Sequence, residues 1–204
     1  LIQRKSFAIS VRELSILMPL GVLMGSSSLS LYMSFHHMAA GIASTLLFVY
    51  PVMVAVLMAV LFKEHITFST TASIVLALGG IVLLYHGNGN ETLSVTGVAL
   101  VMLSSLTYAV YIIIVNKSPL RLSSIKLTFY VLVFGSITIA FYSVFGTGGL
   151  LQMPPSARAW ALGFMLALLP TVISLVTMAI AVREIGSTPT AIMGALEPLT
   201  AVVI

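Results

Sequence analysis

The stretch "AIMGALEPLTAVVI" holds the residue best equipped for chemistry, the carboxylate Glu197, with the helix breaker Pro198 directly behind it. A charge at the centre of a membrane helix costs about 2.5–3.5 kcal/mol on insertion scales, so such a group is turned toward the bundle interior or water. Glu197 therefore has two readings. It binds substrate or a proton, or it is a structural acceptor for hydroxyls and backbone donors near a bend. A second proline, Pro51, follows Tyr50 in "GIASTLLFVYPVMVAVLMAVLF". Proline has no N–H and crowds the carbonyl four residues before it. Both prolines are thus expected to bend their helices and free carbonyls, which a cavity or a neighbouring group must satisfy. The bends serve either as hinges or as fixed shaping of a bundle.

Other polar groups are sparser. Tyr108 and Tyr111 in "SSLTYAVYIIIVN" are three apart and share a helix face with Ser104 or Ser105. That face lines a cavity or hydrogen-bonds to a neighbour. Lys63 and Glu64 close an apolar run and read as interfacial anchors or a cap. His36 and His37 are adjacent and cannot share a helix face, so no metal site is expected there. The chain has no cysteine, which excludes thiolate metal sites. It also has no Gly-rich phosphate loop, nucleophile–base pair or HExxH motif. No enzymatic activity and no cofactor is expected.

The elements that hold these residues must be membrane helices. Of 204 residues, 59% are hydrophobic and only 7% charged, against about 25% charged in a soluble domain. That is too little charge to coat a surface in water, so the partner is a lipid bilayer. The net charge of +4 reads as membrane topology and not as a nucleic-acid footprint, because the cations fall between apolar runs.

A span needs roughly 20 apolar residues. Seven are expected, at about 14–35, 38–62, 66–85, 95–116, 123–145, 159–182 and 186–204. If the linkers alternate sides, one side collects Arg4, Lys5, Arg12, Lys63, Lys117, Arg121, Lys126 and Arg183, and the other only Arg158. The positive-inside rule assigns the first side to the cytoplasm. Trp160 then reads as an aromatic anchor at the outer interface. Small residues at Gly21, Gly25 and Ser26–Ser28 are expected to let helices approach closely.

The second and seventh spans share a pattern of small residues, then Ser/Thr, then proline. Aligning Pro51 with Pro198 gives an offset of 198 − 51 = 147 residues. The second span runs inward and the seventh outward, so the copies are inverted. Inverted repeats are a mark of secondary transporters, whose sites lie near the midplane. With Leu1 in place of a start Met, the chain reads as an internal part of a ten-helix protein in two inverted sets of five. It would continue about seven residues past Ile204 to a counterpart of Lys63–Glu64, then enter a last apolar run. Residues 1–87 would then be the latter part of one repeat, and 95–204 a truncated second.

"GIASTLLFVYPVMVAVLMAVLFKEHIT", "TASIVLALGGIVLLY" and "STPTAIMGALEPLTAVV" together resemble the EamA-like family of the drug/metabolite transporter superfamily. The resemblance covers essentially the whole chain, from the third of ten helices into the ninth. It implies an all-α, polytopic, inverted-repeat carrier in a cell inner membrane, of bacterial type. Such a carrier exports a small metabolite or drug-like compound by alternating access through a cavity between two halves, with proton coupling as an option. It also makes Glu64 a family signature with a packing role. The alternative is a non-transporting membrane scaffold or enzyme subunit. A scaffold would have no central cavity, and an enzyme would need polar catalytic groups clustered near one interface.

Overall fold

The computed structural model describes residues 9–65, 94–118, 122–146 and 156–194, together with residues 68, 71, 72, 74, 75 and 79. No strand occurs among them. Five stretches are long and apolar enough to cross a membrane: Val11–Ser34, Ala40–Phe62, Val95–Lys117, Ser124–Gly146 and Ala157–Ile185. These match five of the seven expected spans. The expected span at 66–85 lies outside the described residues except for positions 68, 71, 72, 74, 75 and 79, all helical. The seventh is described only to Gly194.

Helix starts follow from capping chemistry. Helix α1, Val11–Ser34, opens with a capping box. Ser10 N–H donates to Glu13 Oε2 at 2.7 Å, and Glu13 N–H donates to Ser10 Oγ at 3.2 Å, so two helix-end donors are satisfied reciprocally. The span is next broken into α2, Ala40–Leu47, and α3, Tyr50–Phe62. Helix α4 is Val95–Lys117 and α5 is Ser124–Phe141, with Ser123 Oγ accepting from Lys126 N–H at 3.3 Å. A π turn over Tyr142–Gly146 extends α5. Ser156 caps α6, Ala157–Leu166, in the same way.

After α6 comes a second π turn, Ala167–Ile173, and then α7, Ser174–Ile185. Pro170 sits within that turn and has no N–H for the Leu166 carbonyl; the Thr171 hydroxyl donates to it at 3.1 Å. The helix runs three residues beyond the expected end at 182, and the linker shrinks to Gly186. Its φ of +92° is a left-handed conformation open to glycine, which ends α7 and lets α8, Ser187–Gly194, start at once.

The chain forms two compact units. One comprises residues 1–25 and 118–180, the other 26–117 and 181–204. In the first, Gly21 and Gly25 of α1 meet Gly135 of α5. A Cβ on Gly25 would lie 2.9 Å from the Gly135 carbonyl oxygen and 2.9 Å from Thr138 Cβ, so only glycine permits that approach. Lys126 Nζ stands 4.0 Å from Glu13 Oε2, which places the starts of α1 and α5 at one end.

In the second unit, Met38, Ile42, Ala43 and Val101 form a buried apolar cluster. Ser27 of α1 and Ser104 of α4 each donate a hydroxyl to the other's carbonyl, at 3.0 and 2.8 Å. Lys117 Nζ lies 4.8 Å from the Phe62 ring centroid, and Asn116 Nδ2 donates to Ser187 Oγ at 2.9 Å. The ends of α3 and α4 and the start of α8 therefore lie together, while Met38 meets Gly97 near the start of α4. Within each unit these pairings follow the side-to-side alternation read from the charges.

The outward surfaces are apolar. Phe141, Phe145, Trp160 and Phe164 are all more than half exposed. In water that would be a liability; against lipid tails it is the expected exterior.

Candidate functional site

The site is built on the break between α2 and α3. Pro51 stands in the first turn of α3, where its missing N–H costs the least. The carbonyl left without that donor is Leu47, four residues back. There the α-helical ladder gives way to a tighter turn: Phe48 N–H donates to Thr45 and Val49 N–H to Leu46, both three residues back. A hydroxyl from α4 fills the gap, Ser105 Oγ donating to the Leu47 carbonyl oxygen at 3.1 Å. The expectation that Pro51 frees a carbonyl is met, and the helix is interrupted at Phe48–Val49.

Beyond the bend, Tyr50 is aimed at α4. Its ring meets Tyr108 edge to face, with centroids 5.0 Å apart and planes at 75°. The Tyr108 ring lies nearly parallel to that of Tyr111, stacked at 5.9 Å and 13°. Phe48 extends the group, 6.5 Å from Tyr50. Tyr50 and Tyr111 are buried, at 4% and 2% exposure, while Tyr108 keeps part of its surface open. The Tyr50 hydroxyl lies over Gly194 of α8, in the space a Cβ would occupy. Helix α3 thus packs on both α4 and α8. The Arg183 guanidinium, partly buried at the end of α7, lies within electrostatic range of the Tyr111 hydroxyl.

Depth follows from helix rise. Tyr50 is ten residues into Ala40–Phe62 and Tyr108 thirteen into Val95–Lys117, so each lies about 15–20 Å along a helix that crosses about 30 Å of hydrocarbon. Phenol rings at mid-membrane combine apolar faces with hydroxyls that donate and accept. Groups of this kind can engage a small organic molecule by stacking and a few polar contacts.

Of the residues singled out in the sequence, the structure brings together Tyr50, Pro51, Tyr108 and Tyr111. Glu197 and Pro198 lie outside the described residues. Lys63 and Glu64 stand at the far end of α3 as its cap. Lys63 adopts a left-handed φ of 53°, and its N–H and that of Glu64 both reach back to the Met58 carbonyl, the latter at 3.3 Å, so the helix closes on a left-handed cap. His36 and His37 sit in the turn after α1. Among the described residues no three His, Asp or Glu side chains are grouped to hold a metal.

Sequence reasoning placed Ser105 on the tyrosine face but not against Leu47, and it missed Gly194. Ser105 is 58 residues from Leu47 in the chain, and Gly194 carries no chemistry of its own. The first half of the Ser105 contact was available, since Pro51 marks Leu47 as the carbonyl in need; the donor could come only from packing.

The model of the EamA-like transporter family matches residues 1–86 and 95–204. The uncharacterized transporter YdfC of Bacillus subtilis is 26% identical over 167 residues, covering 81% of this chain and 54% of that protein. An uncharacterized transporter of Archaeoglobus fulgidus is 29% identical over 103 residues, covering 50% of this chain and 36% of that protein. The chain spans about half the length, or less, of these curated relatives. No solved structure matches it.

Proposed function

The chain belongs to the EamA-like transporter family of the drug/metabolite transporter superfamily, and from that premise we propose that it forms the core of a secondary carrier. It is a multi-pass membrane protein of transporter type. The further reading is export of a small metabolite or drug-like compound across the cell inner membrane, by alternating access. The observation that carries it is the meeting of α3, α4 and α8 around Tyr50, Tyr108 and Tyr111, about halfway along helices that cross the bilayer.

The inverted repeat is part of this proposal, with residues 1–87 and 95–204 as its two halves. The offset of 147 residues carries the start of α2 onto the start of α8, since 187 − 40 = 147. It carries Tyr50 onto Glu197 and Pro51 onto Pro198. Glu197 follows Gly194 by three residues, and Gly194 is where the Tyr50 hydroxyl rests. In this reading the carboxylate joins the tyrosines in one polar pocket and couples transport to a proton. Tyr50 supplies the neutral counterpart from the other half, and Pro51 and Pro198 bend the two helices around the pocket.

A transport screen tests the proposal. The protein from its complete gene is reconstituted in lipid vesicles and offered a mixture of cell metabolites, with and without a proton gradient. At least one solute should cross faster than in empty vesicles, and Glu197→Gln should remove the response to the gradient at unchanged protein content. Vesicles indistinguishable from empty ones across the mixture would reject the carrier.

A further inference from the structure

We infer that Ser105 is a positioning residue for Tyr50, acting through the Leu47 carbonyl. Pro51 cannot donate to that carbonyl, because it has no N–H. The Ser105 hydroxyl donates to it at 3.1 Å from a neighbouring helix, and Ser105 itself is fully buried. Three residues separate the held carbonyl from Tyr50, and three separate Ser105 from Tyr108. Residues three apart on a helix share a face, so one short stretch of α4 both fixes the bend and presents the ring that Tyr50 meets 5.0 Å away. The bond ties the angle of the α2–α3 break to the face that carries the tyrosines.

The alternative is that Ser105 merely fills space between helices. The other buried serine on this face already joins helices without any proline, Ser104 exchanging hydroxyl bonds with Ser27. Ser105 differs because its acceptor is the carbonyl that Pro51 deprives of a donor. The two residues should therefore be energetically coupled. With Pro51→Ala, residue 51 regains an N–H that can reach Leu47, and the hydroxyl becomes redundant.

This inference rests on the proposed tyrosine pocket for its functional consequence, but the bond can be tested without a transport assay. The experiment is amide hydrogen exchange on the protein from its complete gene in lipid nanodiscs, read over residues 46–54, for wild type, Ser105→Ala, Ser105→Thr, Pro51→Ala and the Pro51→Ala/Ser105→Ala double variant. An interhelical hydrogen bond in a membrane averages about 0.6 kcal/mol and reaches about 1.7, so Ser105→Ala should speed exchange there by about threefold to twentyfold. Ser105→Thr, which keeps the hydroxyl, should stay near wild type. In the Pro51→Ala background, Ser105→Ala should add less than a twofold change.

A space-filling role would instead spread the effect over all of α4 and leave it undiminished by Pro51→Ala. Equal effects of Ser105→Ala with and without Pro51 overturn the inference. Should Ser105→Ala alone fail to fold, recovery of folding in the double variant supports the coupling, and failure of both overturns it. A coupled pair in a protein that moves no solute would keep the positioning role and remove only the carrier reading.

Discussion

The hydroxyl of Tyr50 occupies the space beside Gly194 where any other residue would carry its Cβ. Glycine at that point of α8 lets a buried ring cross between two helices and still meet Tyr108. Gly194→Ala should therefore force the ring off its partner, at about 1–3 kcal/mol for an overpacked contact. Tyr50→Phe in the same protein removes the clashing oxygen and leaves the ring carbon 3.3 Å from the new methyl, which a small shift relieves. Unfolding by denaturant in detergent micelles should show a loss for Gly194→Ala and recovery of most of it in the double variant. A double variant as unstable as Gly194→Ala alone would mean that something other than Tyr50 fills the space.

The Ser27–Ser104 pair gives a second measurement. Each hydroxyl donates to the other residue's carbonyl, and the two Oγ atoms are 3.1 Å apart. Removing either hydroxyl should cost about 0.6 kcal/mol, with about 1.7 as the upper range for bilayer helices. The pair shares one local network, so the Ser27→Ala/Ser104→Ala loss should fall short of the sum of the single losses. Strict additivity in an unfolding cycle would show that the two bonds act independently.

Two glycines separate close packing from mere small size. A Cβ on Gly25 would press on the Gly135 carbonyl, whereas one on Gly41 of α2 would meet nothing within 4 Å. Gly25→Ala should lower stability by about 1–3 kcal/mol. Gly41→Ala should raise it by about 0.5–1 kcal/mol, through the lower chain entropy of alanine in a helix. A thermal-shift comparison in one detergent decides it, and equal shifts would contradict the packing.

Much of this architecture is legible in the residues. Sparse charge and long apolar runs give the spans, and the distribution of Lys and Arg gives an alternation that the Lys126–Glu13 and Lys117–Phe62 contacts follow. Pro51 announces both a bend and a carbonyl in need. Tyr108 and Tyr111 announce a shared face by their spacing. What spacing along one helix cannot supply is the partner across the bundle. That Ser105 serves Leu47, or that Gly194 makes room for Tyr50, depends on which helices become neighbours. The π turn at Ala167–Ile173 was missed for a different reason: Pro170 lies in an otherwise unbroken apolar run, and the hydroxyl that compensates for it, Thr171, is its own neighbour.

The proposed carrier requires that the faces of α3 and α4 bearing the tyrosines border a water-accessible path at mid-membrane. Of the three tyrosines, Tyr108 is the one with open surface, and the chain contains no cysteine. Single substitutions Tyr108→Cys and Leu106→Cys can therefore be compared in native membranes, using a water-soluble maleimide that reacts with thiolate. Leu106 lies on the same helix and is 42% exposed on its apolar side. The thiol ionises only where water reaches it, so Tyr108→Cys should label faster than Leu106→Cys by about tenfold or more. Equally slow labelling at both positions would contradict the account.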